Sequence, residues 1–231
     1  AFGACLMATP GLVADAVAAM RDACTLPVTV KHRIGIDRIE RYGFVRDFVG
    51  TVAEAGCEVF IVHARNAWLD GLSPKHNREI PPLRHALVHR LKGDFPQLTI
   101  VVNGGIAGDA AIAAQLREVD GVMVGREAYH NPWAMASWDH AFFGEPAHAA
   151  PSRGGVEAAM LRYMEALHAQ GQPWMPAARH MLGLWNGTPG ARRWRQVWSN
   201  HALKHEPPLQ VARLAAAARC LELPRTAPLE V

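Results

Sequence analysis

Apolar and polar positions along the chain follow two regimes. Through about residue 124, short apolar runs are each followed by a loop and then by apolar residues at helical spacing. Past about residue 156 only helical spacing remains. The runs are Val28-Thr29-Val30, Val59-Phe60-Ile61-Val62, Ile100-Val101-Val102 and Val122-Met123-Val124. They predict strands over 28–33, 59–63, 99–103 and 121–124. Helices are expected over 11–23, 42–55, 84–94 and 109–116, with Gly56 closing the second and Asp109 capping the fourth. A further helical stretch follows Asn131-Pro132. The connection from 65 to 82 exceeds the ~2–6 residues usual between strand and helix, which points to function.

Strands alternating with helices predict an α/β fold with a parallel sheet. Each run leads into a polar group that a core has no use for: Lys31, His63, Asn103 and Arg126. In a (β/α)8 barrel the ligands gather at the carboxyl ends of several strands, so these four are the candidate site. Lys31 suits a phosphate, an electron-rich ring or a Schiff base, and the last choice keeps a lysine aldolase in play. Asn103-Gly104-Gly105 and Gly125-Arg126 offer backbone N–H groups and a guanidinium to a phosphate. A closed barrel needs eight strands. The expected architecture is therefore the C-terminal half of a TIM barrel over 1–143, a linker over 144–155 rich in Pro, Gly and Ala, and a small all-α domain over 156–231. Helices are expected there over 156–169, 175–186, 190–205 and 207–222.

Composition narrows the classes. Half of the 231 residues are hydrophobic, enough for a sizeable core. No apolar run is long enough to span a bilayer, so no membrane partner is expected. Cys5, Cys24, Cys57 and Cys220 form no C-x-x-C pair; neither a metal site nor a disulfide framework is expected, and a cytoplasmic setting fits. Cys24, Cys57 and Cys220 read as small core residues. The net charge of +3 is uneven: residues 151–231 hold ten Lys and Arg against five Asp and Glu. That imbalance favours a polyanionic partner. Arg192 and Arg195 lie one turn apart among Trp185, Trp194 and Trp198, an arrangement suited to RNA, although the tryptophans themselves are expected in the helical core.

The ordered set of motifs resembles the tRNA-dihydrouridine synthases, and among them the A-type subfamily. The resemblance runs from Phe2-Gly3-Ala4-Cys5-Leu6-Met7 through Pro27-Val28-Thr29-Val30-Lys31, His63-Ala64-Arg65-Asn66-Ala67-Trp68-Leu69 and Gly71-Leu72-Ser73-Pro74-Lys75. It continues with Asn77-Arg78-Glu79-Ile80-Pro81-Pro82-Leu83, Asn103-Gly104-Gly105-Ile106, Asp120-Gly121-Val122-Met123-Val124-Gly125-Arg126 and Arg179-His180-Met181-Leu182. The resemblance implies FMN as cofactor, NADPH as reductant, and reduction of tRNA D-loop uridines at positions 20 and 20a. It implies FMN contacts from Lys31, His63, Asn103, Gly104, Gly105, Gly125 and Arg126. It also implies tRNA contacts from Lys75 and Arg78, to which the basic helix adds Arg192 and Arg195, and a monomer at full length.

The family's proton donor is a cysteine in an Asn-x-Gly-Cys-Pro loop, and these 231 residues do not contain that motif. By the resemblance it would lie upstream of Ala1, so the chain is expected to be an N-terminally truncated fragment, inactive alone, with no catalytic residue of its own. Cys5 stands in a different context and is not expected to replace it. The competing expectations are a non-catalytic tRNA-binding remnant and another FMN barrel acting on a small pyrimidine.

Overall fold

A computed structural model of the protein describes residues 3–146 and 151–220. The chain divides into two compact units, Ala1–Gly125 and Arg126–Val231.

The first unit is an α/β layer. Its sheet contains β1 (Thr29–Ile36), β2 (Val59–Ala67), β3 (Thr99–Asn103) and β4 (Gly121–Met123), all parallel and in the order of the chain. Helix α1 (Pro10–Ala23) precedes β1. Helices α2 (Tyr42–Glu54), α3 (His85–Asp94) and α4 (Asp109–Leu116) each connect one strand to the next. Proline starts α1, where its missing N–H costs nothing. In α2 the buried residues are Val45, Phe48, Val49 and Val52, a stripe at helical spacing that faces the sheet. Opposite them, alternate strand residues are buried: His32, Ile34 and Ile36 on β1, Phe60 and Val62 on β2, Ile100 and Val102 on β3. Asp120 ties this layer together: it accepts from the Ile100 N–H at 2.8 Å and from Lys92 of α3 at 2.9 Å. Partial burial works to raise the Asp120 pKa, but these two donors outweigh it and hold the carboxyl below its ordinary value.

Two strands run further than their apolar cores. β1 continues to Ile36 and β2 to Ala67, with an irregularity in register between Arg33 and Gly35. Gly35 is required there, since a Cβ would lie 2.5 Å from the Ile39 carbonyl oxygen. The Asn66 amide stitches the turn after β1 by donating to the carbonyls of Asp37 and Ile39, both at 3.0 Å. The cap of α4 is Gly108, at φ +79°, and Asp109 is the first helical residue. Cys57 is buried as expected, whereas Cys24 and Cys220 are exposed, each at or just past a helix end.

The second unit is helical among the described residues. It contains α5 (Arg126–His130), a 3-10 turn at Pro132–Ser137, α6 (Trp138–Phe143), α7 (Arg153–Ala169), α8 (Met175–Ala178), α9 (Ala191–Trp198) and α10 (Pro208–Cys220). The division between the units falls at Gly125–Arg126. Residues 126–143 find their partners among later helices: Asn186 donates to the His130 carbonyl at 2.7 Å, and Tyr129 meets His180 edge-on at 5.8 Å. The expected helices over 175–186 and 190–205 are broken into α8 and α9 with 3-10 turns at Arg179–Met181 and His201–Leu203. Residues 147–150 of the expected linker and the last residues of the expected 207–222 helix lie outside the described residues. The core here is Met164, Trp174, Met181, Leu184, Trp194, Trp198 and Val211. Glu157 accepts from the Trp185 and Trp194 indoles, at 2.9 and 2.7 Å.

Candidate functional site

The register of the sheet arranges the candidate residues. Side chains aligned across parallel strands share a face. Lys31 aligns with Ile61, Val101 and Gly121; one step on, Arg33 aligns with His63, Asn103 and Met123. Both rows lie on the face away from the buried residues of β1 and β3. Chemistry therefore does not sit at the terminus of every strand. Asn103 does end β3, but Lys31 and His63 lie inside longer strands, and the residue level with His63 is Arg33 rather than Lys31.

Lys31 is exposed. Desolvation of its ammonium against the sheet, and next the Arg33 guanidinium, lower its pKa from the ordinary lysine value. His63 is buried. The backbone that follows β3 folds close over its ring: Gly104 and Gly105 stand at φ +116° and +68°, and a Cβ on Gly104 would lie 2.6 Å from His63 Cδ2. A Cβ on Gly105 would lie 2.3 Å from Leu83 Cδ1. Both positions exclude side chains on conformational and steric grounds. The Asn103 amide donates to the Met123 carbonyl at 2.7 Å and holds the ends of β3 and β4 together. His85 Nε2 donates to the Gly104 carbonyl at 2.8 Å and fixes the glycine turn. At Gly125 a Cβ would meet nothing within 4 Å. Arg126 begins α5 and belongs to the second unit.

Arg33 is the residue that motif reading missed. Its guanidinium donates to the Asn66 carbonyl at 3.2 Å and the Asn77 carbonyl at 2.8 Å. Burial first, then Arg65 and Arg78, lower its pKa. Arg65 donates to the carbonyls of Glu79 and Pro81. Asn77 and Trp68 exchange two bonds of 2.7 Å, one in each direction. The long connection after β2 is thus a fastened loop, with a 3-10 turn at His76–Arg78, and it carries Lys75 and Arg78 exposed and one turn apart. The signal for Arg33 was present: in Lys31-His32-Arg33 a strand period of two puts both cations on one face.

On α9, Trp194 and Trp198 are buried, and Arg192 and Arg195 point to solvent from the other side. Arg195 donates to Asn186 Oδ1 at 2.7 Å. No group of three or more potential metal ligands, and no helix long and apolar enough to cross a membrane, occurs among the described residues.

A family profile described as "Dihydrouridine synthase (Dus)" matches residues 1–221. A protein of Pseudomonas syringae pv. tomato named "tRNA-dihydrouridine(20/20a) synthase" is 53% identical over 220 residues, covering 95% of this chain and 65% of its own length. Proteins of the same name in Shewanella oneidensis and Escherichia coli are 50% identical over 214 residues and 53% over 204, covering 93% and 88% of this chain. The chain thus spans 59 to 65% of the length of these curated relatives. With the profile matching nearly all of its residues, the chain belongs to the dihydrouridine synthase family.

Proposed function

We propose that this chain is the flavin- and RNA-binding part of an FMN-dependent enzyme that uses NADPH to reduce uridines 20 and 20a of the tRNA D-loop to 5,6-dihydrouridine. The observation that carries the reading is the two-row face of the sheet: Lys31 in one row, His63 and Asn103 in the next, and a side-chain-free turn at Gly104–Gly105 closing over the imidazole. A cation, an imidazole and bare backbone are the donor set that a flavin ring and its phosphate require. In this reading the four strands, each followed by a helix, are one half of a (β/α)8 barrel, and the face away from the helices is its interior.

When bound, the flavin supplies the hydride. Lys31 and His63 would hold the ring, and the Lys31 ammonium would favour negative charge at its edge. Asn103, Gly104 and Gly105 would hold the phosphate end together with Gly125 and Arg126. Lys75 and Arg78 on the fastened loop, and Arg192 and Arg195 on α9, would meet RNA phosphates. Proton delivery to the pyrimidine is not assigned to any residue of this chain.

Titrating FMN into the 231-residue chain tests the first half of the proposal through quenching of flavin fluorescence. Saturable binding is expected, weakened at least tenfold by Lys31→Ala or His63→Ala. Binding unaffected by either substitution would overturn it. Gel shift with tRNA tests the second half: Lys75→Ala/Arg78→Ala is expected to reduce the salt dependence by about two phosphate contacts. Binding of tRNA with no flavin bound at any concentration would return the non-catalytic remnant instead.

A further inference from the structure

The helical unit contains a cavity of about 550 Å³ between the end of α7 and the His201–Leu203 turn, within the range of small-molecule sites. Its apolar lining is Pro173, Trp174, Met175 and Pro176. Its polar lining includes Arg179 and Lys204, with imidazoles from His168, His201 and His205; none of the lining residues is acidic.

We propose that this cavity is a nucleotide site, taking a base against Pro173, Met175 and Pro176 and its phosphate between Arg179 and Lys204. The apolar side is built before any ligand arrives. Trp174 supports that floor from beneath: it is 1% exposed, its Nε1 donates to the Glu206 carbonyl at 3.0 Å, and its ring meets Trp198 edge-on at 5.9 Å. The loop leading to it is fixed at the end of α7, where Gly171 (φ +69°) and Gln172 donate to the carbonyls of His168 and Leu167, both at 2.9 Å. Around this floor the charged and imidazole groups are exposed, so they reach a phosphate without losing all of their hydration. A fixed apolar floor with an all-basic rim fits a planar base joined to an anion; a bare anion would leave the floor unused. The site uses only residues of the helical unit and goes beyond the flavin and RNA contacts proposed above, because Arg192 and Arg195 do not line it.

Isothermal titration of the 231-residue chain with inorganic phosphate, uridine monophosphate and a five-residue oligouridylate, at fixed salt, tests the proposal. Saturable binding of uridine monophosphate or the oligomer is expected, at least tenfold tighter than phosphate. Arg179→Ala/Lys204→Ala should weaken it at least tenfold, and Arg192→Ala/Arg195→Ala should leave uridine monophosphate binding unchanged. The four positions are exposed, so circular dichroism is expected to match the parent in both variants. An oligomer at least tenfold tighter than the monomer supports an RNA strand as occupant, and equal affinities support a free nucleotide. No binding by either, equal binding of phosphate, or no loss in Arg179→Ala/Lys204→Ala would overturn the proposal, and none of these outcomes bears on the flavin titration.

Discussion

His32 makes the stability of the α/β unit depend on pH in a calculable way. The imidazole is buried between Phe48 and Phe60, with ring centroids 5.0 and 5.9 Å away. Its Nδ1 donates to the Arg33 carbonyl at 2.7 Å, and Nε2 has no hydrogen-bond partner. Burial lowers its pKa from 6.5 to about 4, opposed by the Arg33 carbonyl and assisted by the Lys31 charge. Because the folded value is the lower one, the unfolded chain binds the proton first. The contribution of the neutral ring is therefore complete above pH 6.5 and drains away as pH falls toward about 4. At about 1.4 kcal/mol per pH unit the loss totals about 3 kcal/mol over that window, a large fraction of a domain's stability. Hydrogen exchange of the β1 and β2 amides from pH 7 to pH 4, corrected for intrinsic rates, measures it. Protection should fall by about two orders of magnitude in the parent beyond any fall in His32→Leu, which lacks the titrating ring. Identical pH dependence in parent and variant, or an NMR titration of His32 near 6.5, would refute the reasoning.

Gly104→Ala should destabilise the unit by about 1–3 kcal/mol in urea denaturation, because its φ is +116° and the new methyl meets the His63 ring. Gly125→Ala, which places a methyl in open space, should change stability by less than about 0.5 kcal/mol, and equal effects would contradict the close approach. In the helical unit, Glu157→Ala strips the acceptor from two indoles and should cost about 2–4 kcal/mol by tryptophan-fluorescence denaturation, with Glu157→Gln recovering part of it. Arg33→Ala removes two bonds that fasten the loop after β2; faster exchange of the Trp68 amide is expected, and unchanged exchange would mean the loop is held elsewhere.

The sheet was legible because its physics is local. β-branched runs such as Thr99–Asn103 have no competing helical pattern, and the stripe of Val45, Phe48, Val49 and Val52 fits only a helix. Strand ends were less legible. The extension of β1 through Arg33 to Ile36 depends on pairing with Asn66 and Ala67 and on the space-saving glycine at position 35, none of which hydropathy encodes. The pairing also sets Arg33, one row on from Lys31, level with His63. The partners of the helices at 126–143 were less legible for a related reason. Their spacing identified them as helical, but their partners, His180 and Asn186, are distant in sequence. The burial of Trp194 and Trp198 was legible because they recur at helical spacing on α9, while Arg192 and Arg195 are exposed.

The concentration of cations on one part of the sheet has an energetic consequence. Lys31, Arg33, Arg65 and Arg78 repel one another, and the lowered pKa values of Lys31 and Arg33 record that repulsion together with desolvation, which is the larger effect at both. The carbonyls of Asn66 and Asn77 accept from the Arg33 guanidinium, but they bring no net negative charge. Gathering like charge costs stability, and a bound anion offsets part of that cost. Binding of a phosphate-bearing ligand to the native state alone should therefore raise the stability of the α/β unit, by about 2.7 kcal/mol at a hundredfold excess over Kd. Part of that gain comes from relief of repulsion, so it should shrink as salt screens the cluster. Urea midpoints of the α/β unit, followed with and without FMN at 50 and 500 mM salt, separate the two contributions. A ligand-induced gain that is the same at both salt concentrations would mean that the cations are already neutralised within the fold and that the site recognises shape rather than charge.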